Sequence, residues 1–311
     1  MKKTYLVTGA AGFIGSALAQ KILEMGHSVV TVDNLSTGNK SNIPKEVELI
    51  VGDCQSALII NKLKRYKFEA IFHIAGQSSG EISFEDPIYD LQTNTQSTLL
   101  LLKLCEEIGC SNFIYASSMS VYGDHDKLPV SEKDSCNPKS FYAVGKLASE
   151  NYLKIHSSKH LKTTALRFFN AYGPGQNLSN MKQGMVSIFL SMALKSNKIN
   201  IKGDPNRFRD FIYIDDLING IWSSLNRKGS NFEAINLSSG KKTTVKEVVD
   251  CIDNNISGDI LINYSQGTPG DQFGIYGSTQ YALELLGWKS EVNFIDGMKE
   301  MVHWAKEQLN E

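Results

Sequence analysis

Residues 9–15 read Gly9-Ala10-Ala11-Gly12-Phe13-Ile14-Gly15, directly after the apolar run Tyr5-Leu6-Val7-Thr8 and directly before a helical pattern that ends at Gly26. A strand, a turn with three glycines and a helix, in that order, restrict the fold severely. The glycines suit a tight turn, close approach of the backbone to a pyrophosphate, and close packing of helix on strand. The helix N-terminus presents unpaired N–H groups there, and its dipole favours an anion. Asp33 ends the second predicted strand eighteen residues past Gly15, where a carboxylate can accept hydrogen bonds from both hydroxyls of an adenosine ribose. Its charge would repel a 2′-phosphate, and Asn34-Leu35-Ser36-Thr37-Gly38-Asn39 offers no arginine to receive one. The expected dinucleotide is NAD, not NADP.

The pattern continues through the first half. Strands are expected at 28–32, 47–51, 70–74, 112–116 and 162–168, separated by helices at 56–66, 90–108 and 140–158. Strands alternating with helices of this length imply βαβ units and a parallel sheet covered on both faces. After residue 170 the alternation weakens: a loop at 173–177, a helix at 185–196, and short strands at 211–214 and 232–237, the second expected to return to the main sheet. Helices follow at 245–254, 278–286 and 295–308. No repeat or long linker separates two independent units. The division read here is a dinucleotide-binding domain over 1–169, completed by segments near 207–240, and a smaller α/β C-terminal lobe over 170–311.

Composition narrows the partners. Of 311 residues, 32 are Lys or Arg and 33 Asp or Glu, a formal net charge of -1. That balance gives no support to nucleic acid or a membrane surface, both of which need clustered basic charge. The five cysteines are odd in number and lack a Cys-x-x-Cys pair, so a reducing compartment, the cytoplasm, is expected. Lys2-Lys3 and the run behind them imitate a signal peptide, but Gly9, Gly12 and Gly15 break any apolar core. His156 and His160 are four apart without a third ligand, so they read as a solvated helix end and no metal is expected. His73, closing the fourth strand, reads as a packing residue.

Tyr142 and Lys146 are four apart on a predicted helix and share one face. Alone, such a pair is an ordinary surface feature. Behind a dinucleotide fingerprint it suggests chemistry, because an ammonium and a cationic nicotinamide ring both favour a phenolate and should lower the tyrosine pKa. Ser118, just past the 112–116 strand, can hydrogen-bond the reacting oxygen and complete the set.

The Gly-x-x-Gly-x-x-Gly spacing and Tyr142-x-x-x-Lys146 together resemble the extended short-chain dehydrogenase/reductases, specifically the nucleotide-sugar epimerase/dehydratase group. Ser118-Met119-Ser120-Val121-Tyr122-Gly123, Arg167-Phe168-Phe169-Asn170-Ala171-Tyr172-Gly173-Pro174 and Arg209-Asp210-Phe211-Ile212-Tyr213 carry the same likeness in the same order. The motifs are nearest those of its UDP-glucose (UDP-galactose) 4-epimerases. The resemblance implies a Rossmann-type doubly wound parallel sheet with a substrate-binding C-terminal lobe. It implies catalysis by Ser118, Tyr142 and Lys146. For NAD it implies Gly9, Gly12, Phe13, Ile14 and Gly15 in the turn, then Asp33, Asn34, Ser36, Thr37 and Gly38. Asp53, Cys54, Ile74, Ala75, Gly76, Asn94 and Phe169 join them, beside Tyr142 and Lys146. For a nucleotide-sugar it implies Ser78, Ser118, Tyr142, Asn170 and Arg209, the last as the pyrophosphate's cation.

Three departures shape the expected reaction. Dehydratases of the group carry Asp-Glu where this chain has Met119-Ser120, and its sugar-acid decarboxylases place a glutamate at the second position. Neither replacement shuttles a proton near neutral pH, which leaves 4-epimerisation. Thr268 stands where 4-epimerases place a second pyrophosphate arginine, so weakened binding of UDP-hexoses is expected. Ile275 falls where relatives limit room for a 2-N-acetyl group, being smaller than tyrosine and larger than cysteine or serine. A 4-dehydrogenase or C2 epimerase on the same scaffold remains the alternative, and a non-catalytic NAD-binding relative a third reading. Relatives commonly dimerise through helices corresponding to 90–109 and 140–158, so a homodimer is expected.

Overall fold

The computed structural model describes residues 1–182, 184–256, 258–267 and 273–310. Its centre is a seven-stranded sheet in which every pairing is parallel. In space the strands run Phe232–Leu237, Lys162–Phe168, Asn112–Ser118, Ala70–His73, Thr4–Thr8, Ser28–Asp33 and Glu48–Val51. The chain builds outward from its first strand on one side, then crosses over and builds outward on the other. The reversal falls between Thr4–Thr8 and Ala70–His73, where Thr8 pairs with His73 on one flank and Val32 on the other. At such a switch point the loops after neighbouring strands part and leave a crevice.

Both faces of the sheet are covered, which is why its strands read as continuous apolar runs. Leu18 and Ile22 of the helix Phe13–Glu24 pack on one face with Val7 and Phe72. Leu63, Leu101 and Leu102 pack on the other with Leu6, Ile71 and Phe113. Phe232–Leu237 pairs with Lys162–Phe168 and thereby returns a late segment to the main sheet.

The stretch expected as one helix over 90–108 is three elements: Pro87–Leu91, a π-helical turn Gln92–Gln96, and Ser97–Ile108. Asp86 caps the first, accepting from the Tyr89 N–H at 2.9 Å, with Pro87 at the first helical position. Thr93 donates back to the carbonyl of Tyr89 at 2.9 Å, and the wide turn brings Asn94 inward to full burial. Single π-turns of this kind gather at functional sites.

Beyond residue 170 lie short pairings that the periodicity did not reveal. Asn170–Tyr172 pairs with Phe211–Tyr213, Lys198–Lys202 with Leu261–Ser265, and Phe208–Arg209 with Thr243–Thr244. Lys198–Lys202 does alternate between exposed and buried residues, but five residues directly behind a helix carry little signal. Asp210 binds this region to the sheet. Its buried carboxylate accepts from the Ser239, Gly240 and Gly277 N–H groups at 2.8, 3.0 and 3.2 Å.

A buried ion pair fixes the helix Phe141–His156 against the sheet. Arg167 donates to both carboxylate oxygens of Glu150, at 3.0 and 2.7 Å, and to the Tyr122 hydroxyl at 2.9 Å. Ser117 donates to the same carboxylate at 2.5 Å. Both ions are about 95% buried, so removing one strands the other in a medium that solvates it poorly. Glu150→Gln is therefore expected to lower unfolding free energy by about 3–5 kcal/mol, read as a fall in the urea midpoint.

Candidate active site

The crevice at the switch point opens into a cavity of about 430 Å³, within the ~300–1,000 Å³ usual for ligand sites. The glycine turn forms one wall. Gly9 stands at φ +68°, and a Cβ there would lie 2.7 Å from the backbone of Ala75. A Cβ at Gly15 would lie 2.1 Å from the Gly9 carbonyl oxygen. The helix Phe13–Glu24 begins at Gly12 with no side-chain cap and no acid in its first turn, so its first N–H groups face the cavity.

Asp33 sits at the end of its strand with each carboxylate oxygen used once by the protein. Oδ2 accepts from the Ala11 N–H at 2.9 Å and Oδ1 from the Leu35 N–H at 2.7 Å. These bonds draw the acid onto the turn, and each oxygen keeps a second lone pair. Asn34 donates to Asp53 at 2.6 Å, and the Asn39 N–H donates to the Ala11 carbonyl at 3.0 Å. The loop carrying Ser36, Thr37 and Gly38 is thus folded over the turn. Cys54 lies behind, its thiol pushed up to about 12 by burial, which makes it an inert wall.

The floor is built by Asn112–Ser118, which runs two residues further than the sequence suggested, and by the helix Phe141–His156. Ser140 caps that helix, accepting from the Ala143 N–H at 3.1 Å, and so fixes the first turn that carries Tyr142. Ser118 Oγ lies 2.6 Å from Ser120 Oγ. Lys146 is buried, donates to the Ala116 carbonyl at 2.8 Å, and lies 5.6 Å from the centroid of the Tyr142 ring.

The expected fall of the Tyr142 pKa called on two charges, and the one the protein supplies does not produce it. Lys146 does not pull the Tyr142 phenol down in the protein by itself. Desolvation pushes the phenol up to about 12, with the Ser118 hydroxyl as the opposing influence. Desolvation likewise pushes the Lys146 ammonium down to about 8, against the pull of Asp90 and Glu150. His73 is a packing residue as expected: buried, between Thr8 at 2.8 Å and Ser97 at 3.0 Å, it is pushed down to about 3 and stays neutral.

Of the predicted residues, the cavity gathers the glycine turn, Asp33 and Asn34, Ser36 to Gly38, Asp53 and Cys54, Ile74 to Gly76, Ser78, Ser118, Tyr142, Lys146, Phe169 and Asn170. Asn94 and Arg209 are not on its surface. Asn94 stands one layer behind: a Cβ at Gly76 would meet its Oδ1 at 2.4 Å. Arg209 is buried, donates to the Phe208 carbonyl at 2.8 Å, and is pushed down to about 10 by burial and then by Arg207. Thr268 lies outside the described residues. Ile275 is buried against Phe169, Tyr122, Val121 and Val130, behind the cavity wall.

Sequence reasoning missed the far wall, where Gln176, Asn177, Asn180 and Met185 follow the 173–175 turn. Only the glycine–proline loop was visible there. Nothing in that short segment says which way its amides point. Among the described residues, no three metal-ligating side chains cluster and no helix is long and apolar enough to cross a membrane.

The family described as the NAD dependent epimerase/dehydratase family matches residues 5–238. The chain belongs to that family. It is an enzyme of that family, with NAD as its cofactor, and the open helix N-terminus, the glycine contacts and Asp33 fit that dinucleotide. The chain is 31% identical to the UDP-glucose 4-epimerase of Mycolicibacterium smegmatis over 308 residues, 97% of this chain and 98% of that one. It superposes with a TM-score of 0.94 on a UDP-glucose 4-epimerase with UDP-glucose from Thermotoga maritima, at 31% identity, covering 98% and 99% of the two chains. It is also 28% identical to UDP-glucuronic acid decarboxylase 1 of Xenopus tropicalis, over 99% of this chain and 73% of that one. The family therefore spans more than one reaction. Because a methyl group at residue 15 would collide with Gly9, Gly15→Ala is expected to raise the Kd for NAD at least tenfold in a fluorescence titration, with the far-ultraviolet spectrum unchanged.

Proposed function

We propose that the protein is an NAD-dependent 4-epimerase of a nucleotide-activated hexose, UDP-glucose/UDP-galactose or their N-acetyl forms. The observation that carries this reading is the Ser118, Tyr142 and Lys146 set on the cavity floor. Met119 and Ser120 follow it where elimination or decarboxylation would need a carboxylate. In this reading residues 1–169 with the returning strand bind NAD, and the remainder holds the sugar nucleotide.

Tyr142 takes the proton from the sugar 4-hydroxyl and later returns it, Ser118 holds that oxygen, and Lys146 binds the nicotinamide ribose. A phenol at about 12 needs roughly 7 kcal/mol of differential stabilisation to ionise at pH 7. The Lys146 ammonium stands 5.6 Å from the centroid of the ring, and by itself it leaves the phenol at about 12. Bound NAD supplies the hydride acceptor and donor together with the second positive charge. Lys146 contributes its part only while it is protonated. Asn170, on the cavity wall, is assigned to the phosphates, and Arg209 would have to turn away from the Phe208 carbonyl to join it. Thr268, in place of a second arginine, predicts weak grip, while Ile275, buried behind Phe169, could restrict an N-acetyl group only through that ring.

Incubation with UDP-galactose and NAD is expected to give UDP-glucose without net NADH. Stoichiometric NADH would instead indicate a 4-dehydrogenase, and silence a different sugar or a non-catalytic role. Tyr142→Phe should lower kcat at least ~100-fold while NAD still binds, and near wild-type turnover would remove Tyr142 from the mechanism.

We further propose a homodimer through the helices at 87–108 and 141–156. Ile88, Leu91, Val144 and Ile155 are 64%, 53%, 51% and 77% exposed there, more apolar surface than a solvent-facing pair of helices normally shows. Light scattering at micromolar concentration should give twice 34.5 kDa, and a monomer mass would contradict the assignment.

A further inference from the structure

Asp90 is a carboxylate without a use in the reaction above. It is 1% exposed, in Pro87–Leu91, and is not on the cavity surface. Its Oδ1 accepts from Gln77 Nε2 at 2.8 Å and Asn94 Nδ2 at 3.0 Å. Its Oδ2 lies against the helix Phe141–His156, 3.4 Å from where a Cβ on Gly145 would stand, one residue before Lys146. Burying a carboxylate whose hydrogen-bond donors are all neutral is costly, and the cation that acts on it is the Lys146 ammonium.

Two neighbours identify what it serves. Asn94, fully buried, gives its amide nitrogen to Asp90 and to the Gln77 carbonyl, at 3.0 and 2.9 Å. Those bonds forbid a flip, and the amide oxygen is left without a partner, directed at Gly76 on the cavity wall. The Lys146 ammonium stands at the same glycine, 3.3 Å from where its Cβ would be. Of the two carboxylates acting on Lys146, Glu150 is already neutralised by Arg167 through two hydrogen bonds. Asp90 is the negative charge that remains.

We propose that Asp90 is a positioning residue, holding the Asn94 carboxamide with its oxygen toward the cavity and providing the buried counter-charge that keeps Lys146 an ammonium. This rests on the role given to Lys146 above. With that ammonium at about 8, its charge is the quantity most easily lost as pH rises. The charged and titratable groups near Asp90 are Tyr142, Lys146 and Glu150 on the facing helix, the half-buried Tyr89 beside it, and the exposed Glu81, Glu85 and Asp86 on adjoining turns; neutral His73 is linked to it through Lys146. Asp90 also disfavours the Tyr142 phenolate directly, as the third of three influences behind desolvation and Ser118, so its benefit runs through Lys146.

The test is a titration of the full-length protein labelled with [ε-13C]lysine, the Lys146 resonance being assigned by its loss in Lys146→Met. Asp90→Asn can keep the acceptor for Gln77 and Asn94 while removing the charge. Losing an anion beside a cation disfavours the protonated form, so the Lys146 midpoint is expected to fall by about one pH unit. The alkaline limb of kcat should move with it, and an Asp90→Glu variant should restore most of the shift. An unchanged midpoint overturns the proposal, whatever the substrate proves to be. If Asp90→Asn does not fold, the unaltered chain still decides. The Asp90 carboxyl and Lys146 resonances must then each carry an inflection at the other's midpoint, and independent curves overturn the proposal.

Discussion

Seven parallel strands all end on the same edge of one sheet, and the chain reverses direction across that sheet between its first and fourth strands. Everything functional depends on that constraint. Parallel pairing makes the chain cross back between strands, for most of them through a helix on a face of the sheet, so the loops on the carboxyl edge are left to form the site. At the reversal two loops part, and Gly9 comes within contact of Ala75 across the gap. The uncapped N-terminus of Phe13–Glu24, the acid at the end of Ser28–Asp33 and the floor at Asn112–Ser118 then face one volume.

Within that volume the balance is between desolvation and charge. The fold buries a lysine, a tyrosine and an aspartate close together, and burial opposes the ionised form of each. The lysine keeps its proton because carbonyl dipoles and carboxylates surround it. The tyrosine does not ionise until positive charge is added.

The second group of buried charges does a different task. Arg167, Glu150, Ser117 and Tyr122 form a closed network in which each polar group has a partner. It joins the strand bearing Ser118 to the helix bearing Tyr142 and Lys146, so the relative placement of those three is set by paired ions. Asp210, tying the later segments to the sheet through backbone N–H groups, has a similar purpose on the opposite wall.

The alternation of short apolar runs with helical stretches was enough to imply the parallel sheet, because both faces of such a sheet must be buried. The glycine turn and Asp33 were legible for a related reason: close backbone approach tolerates few residue types, and the turn and the acid it draws in meet over a short sequence distance. Tyr142 and Lys146 were legible as a pair through helical spacing alone. What the sequence could not determine was anything that depends on segments distant along the chain. The π-turn that turns Asn94 inward, the amides of the 176–180 wall, and Asp90 against Gly145 have no local signature. Nor could spacing reveal the sign of the shift on Tyr142. A pKa records the solvent that the whole fold removes and the charges it brings together, and both are decided only when the tertiary structure has formed.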